Sequence, residues 1–354
     1  MDADHEDIRP AIDYFSKHKL QRHAFAVKNN FLCGLTFSSW LRLVWEHAHR
    51  IDWWPYAPRV LFLGALAALN SLLALPDRIL YGRRVAGARV NPAPVFVLGH
   101  PRTGTTHVHN LLSLDARLGW ADTLSAGFPS AFLSLGGALR RLAAPLLDST
   151  RPMDAMALSF DTPAEDELAV CALSAGASPY MPLVFMRDQE VFRDLYALRG
   201  LLEGGESSPV HTARVRLLLR LFPDARFIYL HRDPYAVFAS AAHMAESYYP
   251  FTALQRLEPA DVARFVLDQF ELLHETYQAD RALIPPGRLV ELGFAELDAD
   301  PVAAMRRVYR ELGWPDFERA LEPQLRAYAA SLAGFKKNDH QRRERLRKGG
   351  GECS

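Results

Sequence analysis

The sequence predicts an α/β fold: a three-layer parallel sheet with a glycine-punctuated loop after its first strand, plus a helical N-terminal region. Three observations carry this. Residues Pro94–Thr106 read as a buried strand, a glycine-punctuated loop and the start of a helix. Two further apolar strands, 226–230 and 288–292, alternate with helical stretches, the pattern of a parallel sheet covered on both faces. Residues 1–90 instead carry helical patterning, with an irregular apolar stripe through Phe31, Leu35, Trp40, Leu41, Val44 and Trp45. The expected organisation is a helical region over 1–90, an α/β domain over 91–340 and a basic flexible tail over 341–354.

The elements follow in order. Val60–Leu75 is an apolar run interrupted only by Gly64, Asn70 and Ser71. It falls short of the roughly 20 residues that span a bilayer, so a buried helix is the first expectation. Insertion into a membrane, or lying on one, is the alternative. Trp53, Trp54, Tyr56 and Arg59 upstream suit an interfacial belt. Asn91–Pro94 is a proline-marked lead-in to the first strand. Gly104–Leu114 should be a helix whose N-terminal N–H groups face an anion. Residues 124–144 are rich in Ser, Gly, Ala and Leu and suit helix and loop on the substrate side. A helix over 163–175 would begin with Glu165, Asp166 and Glu167, acids that complement its dipole. Val215–Leu221 is a short amphipathic helix, 226–230 a strand, Pro234–Met244 a helix, 288–292 a strand and Pro301–Leu312 a helix. The stretch 336–348 reads as a solvated basic helix, followed by fraying glycines.

Composition narrows the function. Lys plus Arg and Asp plus Glu both number 41, so no global field recruits nucleic acid. Cys33, Cys171 and Cys353 are scattered, which indicates neither a zinc knuckle nor a disulfide framework. His107 and His109 stand two apart on a helix and do not share a face, so no metal site is expected. The acidic start Met1–Asp7 lacks the basic region of a signal peptide, and a cytoplasmic or membrane-associated protein is expected.

Gly99 and Gly104 have the spacing of a phosphate-cradling loop, but Thr105 stands where a nucleoside triphosphatase needs its lysine. The cation precedes the second glycine instead, at Arg102. This arrangement, Pro101-Arg102-Thr103-Gly104-Thr105-Thr106, resembles the first signature of sulfotransferases that use 3′-phosphoadenosine-5′-phosphosulfate (PAPS). Their second signature is a strand, an arginine and a serine eight positions on, matched here by 225–230, Arg232 and Ser240. The resemblance runs from about Val95 to Asn338 and is closest to the bacterial and algal type.

The resemblance implies a P-loop-like fold, a sulfuryl donor released as 3′-phosphoadenosine-5′-phosphate (PAP), and no metal. Backbone N–H groups of Thr103, Gly104, Thr105 and Thr106 would hold the 5′-phosphate, with the threonine hydroxyls adding donors. Arg102 keeps its charge at all working pH, so it would act as an electrostatic clamp and not as an acid. Arg232 and Ser240 would grip the 3′-phosphate. Lys336, in Phe335-Lys336-Lys337-Asn338, matches a family motif near the nucleotide, and Arg347-Lys348-Gly349 resembles another. Deprotonating the acceptor hydroxyl or amine calls for a general base. Glu165, in a P-x-E-D segment, is the first candidate and His211 the second. One departure stands out: relatives usually have lysine where Ser207 precedes Ser208-Pro209-Val210-His211, and the span 187–208 is short for a helix and strand. That departure and the apolar run motivate a second reading, a catalytically impaired PAPS- or PAP-binding protein or membrane-associated scaffold. A P-loop kinase is a third, but it lacks its lysine and a strand-end aspartate.

Overall fold

The structure is a computed structural model that describes residues 8–331 apart from 22, 24, 28, 145–149, 152–155, 157 and 198–210. The N-terminal region is helical, with α1 (Arg9–Phe15), α2 (Phe37–His47) and the long α3 (Trp53–Ala86). Then come β1 (Val95–Gly99), α4 (Thr105–Leu112), α5 (Thr123–Gly127), α6 (Phe132–Ala143) and α7 (Glu167–Leu173). The rest is α8 (Val215–Leu221), β2 (Arg226–His231), α9 (Pro234–Ser247), α10 (Pro259–Asp280), β3 (Leu289–Gly293) and α11 (Pro301–Glu311). Short helical turns join them.

The sheet is parallel, in the order β1-β2-β3. Register sets Gly99 beside Leu230 and Leu230 beside Leu292, so the strands end together at one edge. Alternation of side chains along each strand builds the layers. Ile228, Leu230, Val290 and Leu292 pack on Val108 and Leu111 of α4 and Met305 and Val308 of α11. Leu98 and Phe227 face the other way, onto Val215 and Leu218 of α8 and Tyr277 of α10. The α9 helix starts where proline and an aspartate cap predict it. Asp233 accepts from the Ala236 N–H at 2.9 Å, and Pro234 fills a first-turn position that needs no donor.

The N-terminal helices share one core with the rest of the chain. Phe15, Leu35, Leu43 and Leu63 are buried together with Phe185, Ala242 and Val266. The apolar run 60–75 lies inside α3, whose residues 56, 59, 60, 63, 67, 70, 74 and 77 form the buried face. Two expectations need correction here. Tyr56 and Arg59 are not part of an interfacial belt, since both are 2% exposed, while Trp54 is 96% exposed. The helix expected over 163–175 begins only at Glu167, because Pro163 is held in a bridge to Asp122 and Glu165 and Asp166 precede the first turn. Of the short span 187–208, residues 187–197 are turns and a short helix, and the remainder lies outside the described residues.

Candidate active site

The phosphate loop leaves β1 at Gly99 and enters α4 at Gly104, which has a left-handed φ of 106°. A Cβ at Gly104 would stand 2.6 Å from the Phe294 ring, so torsion and space both demand glycine. Arg102 also has positive φ, 76°. Backbone of this kind costs an L residue about 1–2 kcal/mol and must be held by its surroundings. Thr103 does much of that holding. Its N–H and its hydroxyl both turn back to the His100 carbonyl, at 3.1 and 2.7 Å. Its N–H therefore shapes the loop, and does not point at a ligand as expected. Thr105 and Thr106 open α4, where backbone N–H groups have no intrahelical acceptor.

Three predicted residues gather around this loop. Arg102 Nε donates to Ser240 Oγ on α9 at 3.0 Å. Arg232 Nη1 donates to the Arg102 carbonyl at 3.1 Å. The Arg232 guanidinium lies 4.2 Å over the Phe294 ring, a cation–π contact that the sequence reading missed. All of this sits at the carboxyl edge of the sheet, where open parallel sheets bind their ligands. His100, at the base of the loop, is buried and gives its Nδ1 proton to the Pro101 carbonyl at 2.6 Å. Burial holds its pKa down at about 4, so the ring is neutral.

A second cluster adjoins β1. Thr212 Oγ1 accepts from the Gly99 N–H at 2.8 Å and donates to the Gly99 carbonyl at 3.0 Å. Its neighbour His211 has Nε2 at 2.9 and 3.1 Å from the two Asp166 oxygens. Arg214 Nη1 lies 3.2 Å from His211 Nδ1. Arginine only donates, so Nδ1 accepts and Nε2 carries the proton given to Asp166. Burial works to raise the Asp166 pKa, but His211 and Arg214 outweigh it and hold it at about 2. Arg214 Nη2 also meets Glu167 Oε2 at 2.5 Å, with side chains only 3% and 7% exposed. Ser178 donates to the other Glu167 oxygen at 2.7 Å. Burial pushes Glu167 up to about 7 and Arg214 down to about 10, each against the pull of the other charge. Glu167 is thus an ion-pair partner for Arg214 and not a simple complement to the helix dipole.

Glu165 accepts a hydrogen bond from the Tyr180 hydroxyl. Burial keeps that phenol well above its ordinary pKa, so it remains a donor. Arg151 Nη1 lies 3.4 Å from Thr106 Oγ1. Lys336, Ser207 and Arg347–Gly349 lie outside the described residues. The sequence reading overlooked Arg151, Asp166, Thr212, Arg214 and Phe294. Only the His211-to-Arg214 spacing, three residues at the lead-in to α8, offered a signal.

Arg102, Arg232 and the buried Ser240 are thus joined around a loop that turns at Gly104, at the carboxyl edge of a parallel sheet, an arrangement suited to an anionic ligand. Residues 94–319 match the model of the sulfotransferase family, and the chain belongs to that family. It is similar to omega-hydroxy-beta-dihydromenaquinone-9 sulfotransferase Stf3 of Mycobacterium bovis, 32% identical over 338 residues that cover 87% of this chain and 84% of the relative. The Mycobacterium tuberculosis (strain CDC 1551 / Oshkosh) Stf3 matches with the same figures. The crystal structure of sulfotransferase STF1 from Mycobacterium tuberculosis H37Rv shares the fold, with a TM-score of 0.53 at 16% identity, covering 90% of this chain and 91% of that one. The chain is therefore a sulfotransferase, an enzyme of sulfuryl transfer. Neither the kinase nor the scaffold reading is favoured by these likenesses.

Proposed function

We propose that the enzyme moves a sulfuryl group from PAPS to a hydroxyl carried by a lipid. The observation that carries the donor is the meeting of Arg102, Arg232 and Ser240 on the loop that Gly104 shapes. These residues fit a nucleotide with two phosphate groups: loop and α4 N-terminus for the 5′-phosphate, Arg232 and Ser240 for the 3′-phosphate. The donor supplies a sulfuryl group on a phosphate leaving group. Arg102 stabilises the charge that grows on the leaving oxygen. Arg151, beside Thr106, adds a cation next to the loop. Lys336 is kept as a further nucleotide contact.

The acceptor oxygen bonds to sulfur as the sulfur–phosphate oxygen bond breaks, and the hydroxyl proton passes to a base. Glu165 is the better candidate, oriented by the Tyr180 hydroxyl. His211 has both ring nitrogens engaged, by Asp166 and Arg214, and serves to position Asp166. The lipid acceptor is drawn from the dihydromenaquinone named for the Stf3 relatives. It implies an enzyme working at a membrane, with contact through residues 60–75.

Calorimetric titration with PAP tests the donor. Micromolar binding is expected, and Arg232→Ala should weaken PAP far more than adenosine 5′-phosphate. Equal loss for both ligands would remove Arg232 from the 3′-phosphate, and no PAP binding by the wild type would overturn the donor assignment.

A further inference from the structure

The outer face of α3 is the largest feature that the transfer reaction leaves unexplained. Trp54, Leu61, Leu72 and Ile79 are 96, 73, 65 and 79% exposed, and Trp45 on the adjoining α2 is 87% exposed. Large apolar side chains thus recur along one face of a helix about 50 Å long, and an apolar surface of this kind marks an interaction site. We propose that α3, with the outer edge of α2, docks flat on an anionic lipid bilayer. This rests on the membrane contact and lipid acceptor proposed above, and specifies the surface, its orientation and its lipid preference.

Three observations fix the orientation and the occupant. First, the inner face of α3 is tied to the protein by polar groups. Arg59 donates to the carbonyls of Ala26 at 2.7 Å, Pro250 at 2.9 Å, His23 at 3.1 Å and Ala253. Asn70 donates to the Cys33 and Leu35 carbonyls at 2.6 and 3.0 Å, and Asp77 accepts from the Leu133 and Ser134 N–H groups at 2.8 and 2.7 Å. Crossing a bilayer would strip these groups of partners in hydrocarbon, so the helix lies in the interface instead.

Second, charge is complementary to anionic headgroups. Asp77 is the only acid within α3 and is buried, whereas Arg78, Arg83 and Arg84 are exposed at its C-terminal end, with Arg89 beyond it. Third, the docked helix connects to the candidate base. Asn70 holds the Cys33–Leu35 backbone; beside it the Phe31 ring meets Tyr180 edge-on at 5.5 Å, and Tyr180 donates to Glu165.

The test is flotation of the full chain with phosphatidylcholine vesicles, with and without phosphatidylglycerol, alongside PAP calorimetry. Binding is expected to rise roughly tenfold with phosphatidylglycerol, to fall in high salt, and to be released by alkaline carbonate. Bromines placed near the headgroup should quench tryptophan emission more than bromines near the bilayer centre. Leu61→Glu with Leu72→Glu should abolish flotation while PAP binding persists, which also reports that the variant is folded. Arg83→Glu with Arg84→Glu should remove the phosphatidylglycerol effect. Absence of flotation, carbonate-resistant insertion, or equal flotation of the Leu61→Glu, Leu72→Glu variant would each overturn the proposal. Loss of PAP binding with flotation intact would refute the donor assignment and leave the docking surface standing.

Discussion

Replacing Gly104 by alanine would strike the point on which the phosphate loop turns. The added methyl would begin 2.6 and 2.8 Å from two carbons of the Phe294 ring, roughly 1 Å inside normal contact. The φ of 106° adds a torsional cost of about 1–2 kcal/mol, and overpacking adds about 1–3 kcal/mol. The ring cannot yield freely, because the Arg232 guanidinium is stacked on it at 4.2 Å. Gly104→Ala should therefore lose about 2–5 kcal/mol of stability and weaken PAP binding at least tenfold, about 1.4 kcal/mol. Phe294→Ala restores the space but not the torsion, so the double variant should regain only the steric share. Urea unfolding and PAP calorimetry on the wild type, both single variants and the double variant measure this as a cycle. A Gly104→Ala protein that unfolds and binds PAP like the wild type would refute the account of the loop.

Glu165→Gln should lower sulfuryl transfer by about 10²–10⁴-fold while PAP affinity is unchanged, measured by radiolabelled sulfate transfer; retained turnover would move the base elsewhere. The depressed Asp166 pKa gives a pH signature. From an ordinary value of 3.8 it falls to about 2 in the folded protein, so its contribution to stability is full above about pH 4 and is lost as pH falls toward 2. Asp166→Asn should flatten that part of the acid-unfolding curve, and a curve of unchanged shape would count against the His211–Asp166 contact. Arg214→Met leaves Glu167 buried without its cation and should cost about 3–5 kcal/mol in urea unfolding, largely recovered by adding Glu167→Leu; a loss below about 1 kcal/mol would show that the pair is not structurally important.

The sheet was legible because its strands are short apolar runs that end in glycine or a charged turn. The strands at 226–230 and 288–292 were read within one residue of where they lie. The loop after β1 was legible for a related reason: its glycines and Arg102 stand together in sequence order. The carboxylate cluster was not. Asp166, Glu167 and Arg214 meet only because the turn before α8, held on β1, brings His211 and Arg214 to the start of α7, and each alone resembles a helix-end charge. Burial inverts that reading for Glu167, since an acid placed for a helix dipole would remain in water, as the exposed Asp166 does. Phe294 and Arg151 were missed because nothing in their own neighbourhoods marks them; one is set by the end of β3 and the other by a return of the chain to Thr106.

The same long-range contacts explain how donor and acceptor sides are held in one frame. Gly99 ends β1 and begins the phosphate loop, yet both of its backbone polar groups engage Thr212. Thr212 lies between His211 and Arg214, which fix Asp166 and Glu167, and those acids adjoin Glu165 along the chain. A shift of the loop would be passed toward the proposed base through one threonine, the His211–Asp166 hydrogen bond and the Arg214–Glu167 ion pair. Burial makes this linkage stiff, because an unpaired charge at Arg214 or Glu167 would be costly. In-line transfer is sensitive to sub-ångström alignment, so with Glu165 as the base Arg214→Met should slow sulfuryl transfer as well as lower stability.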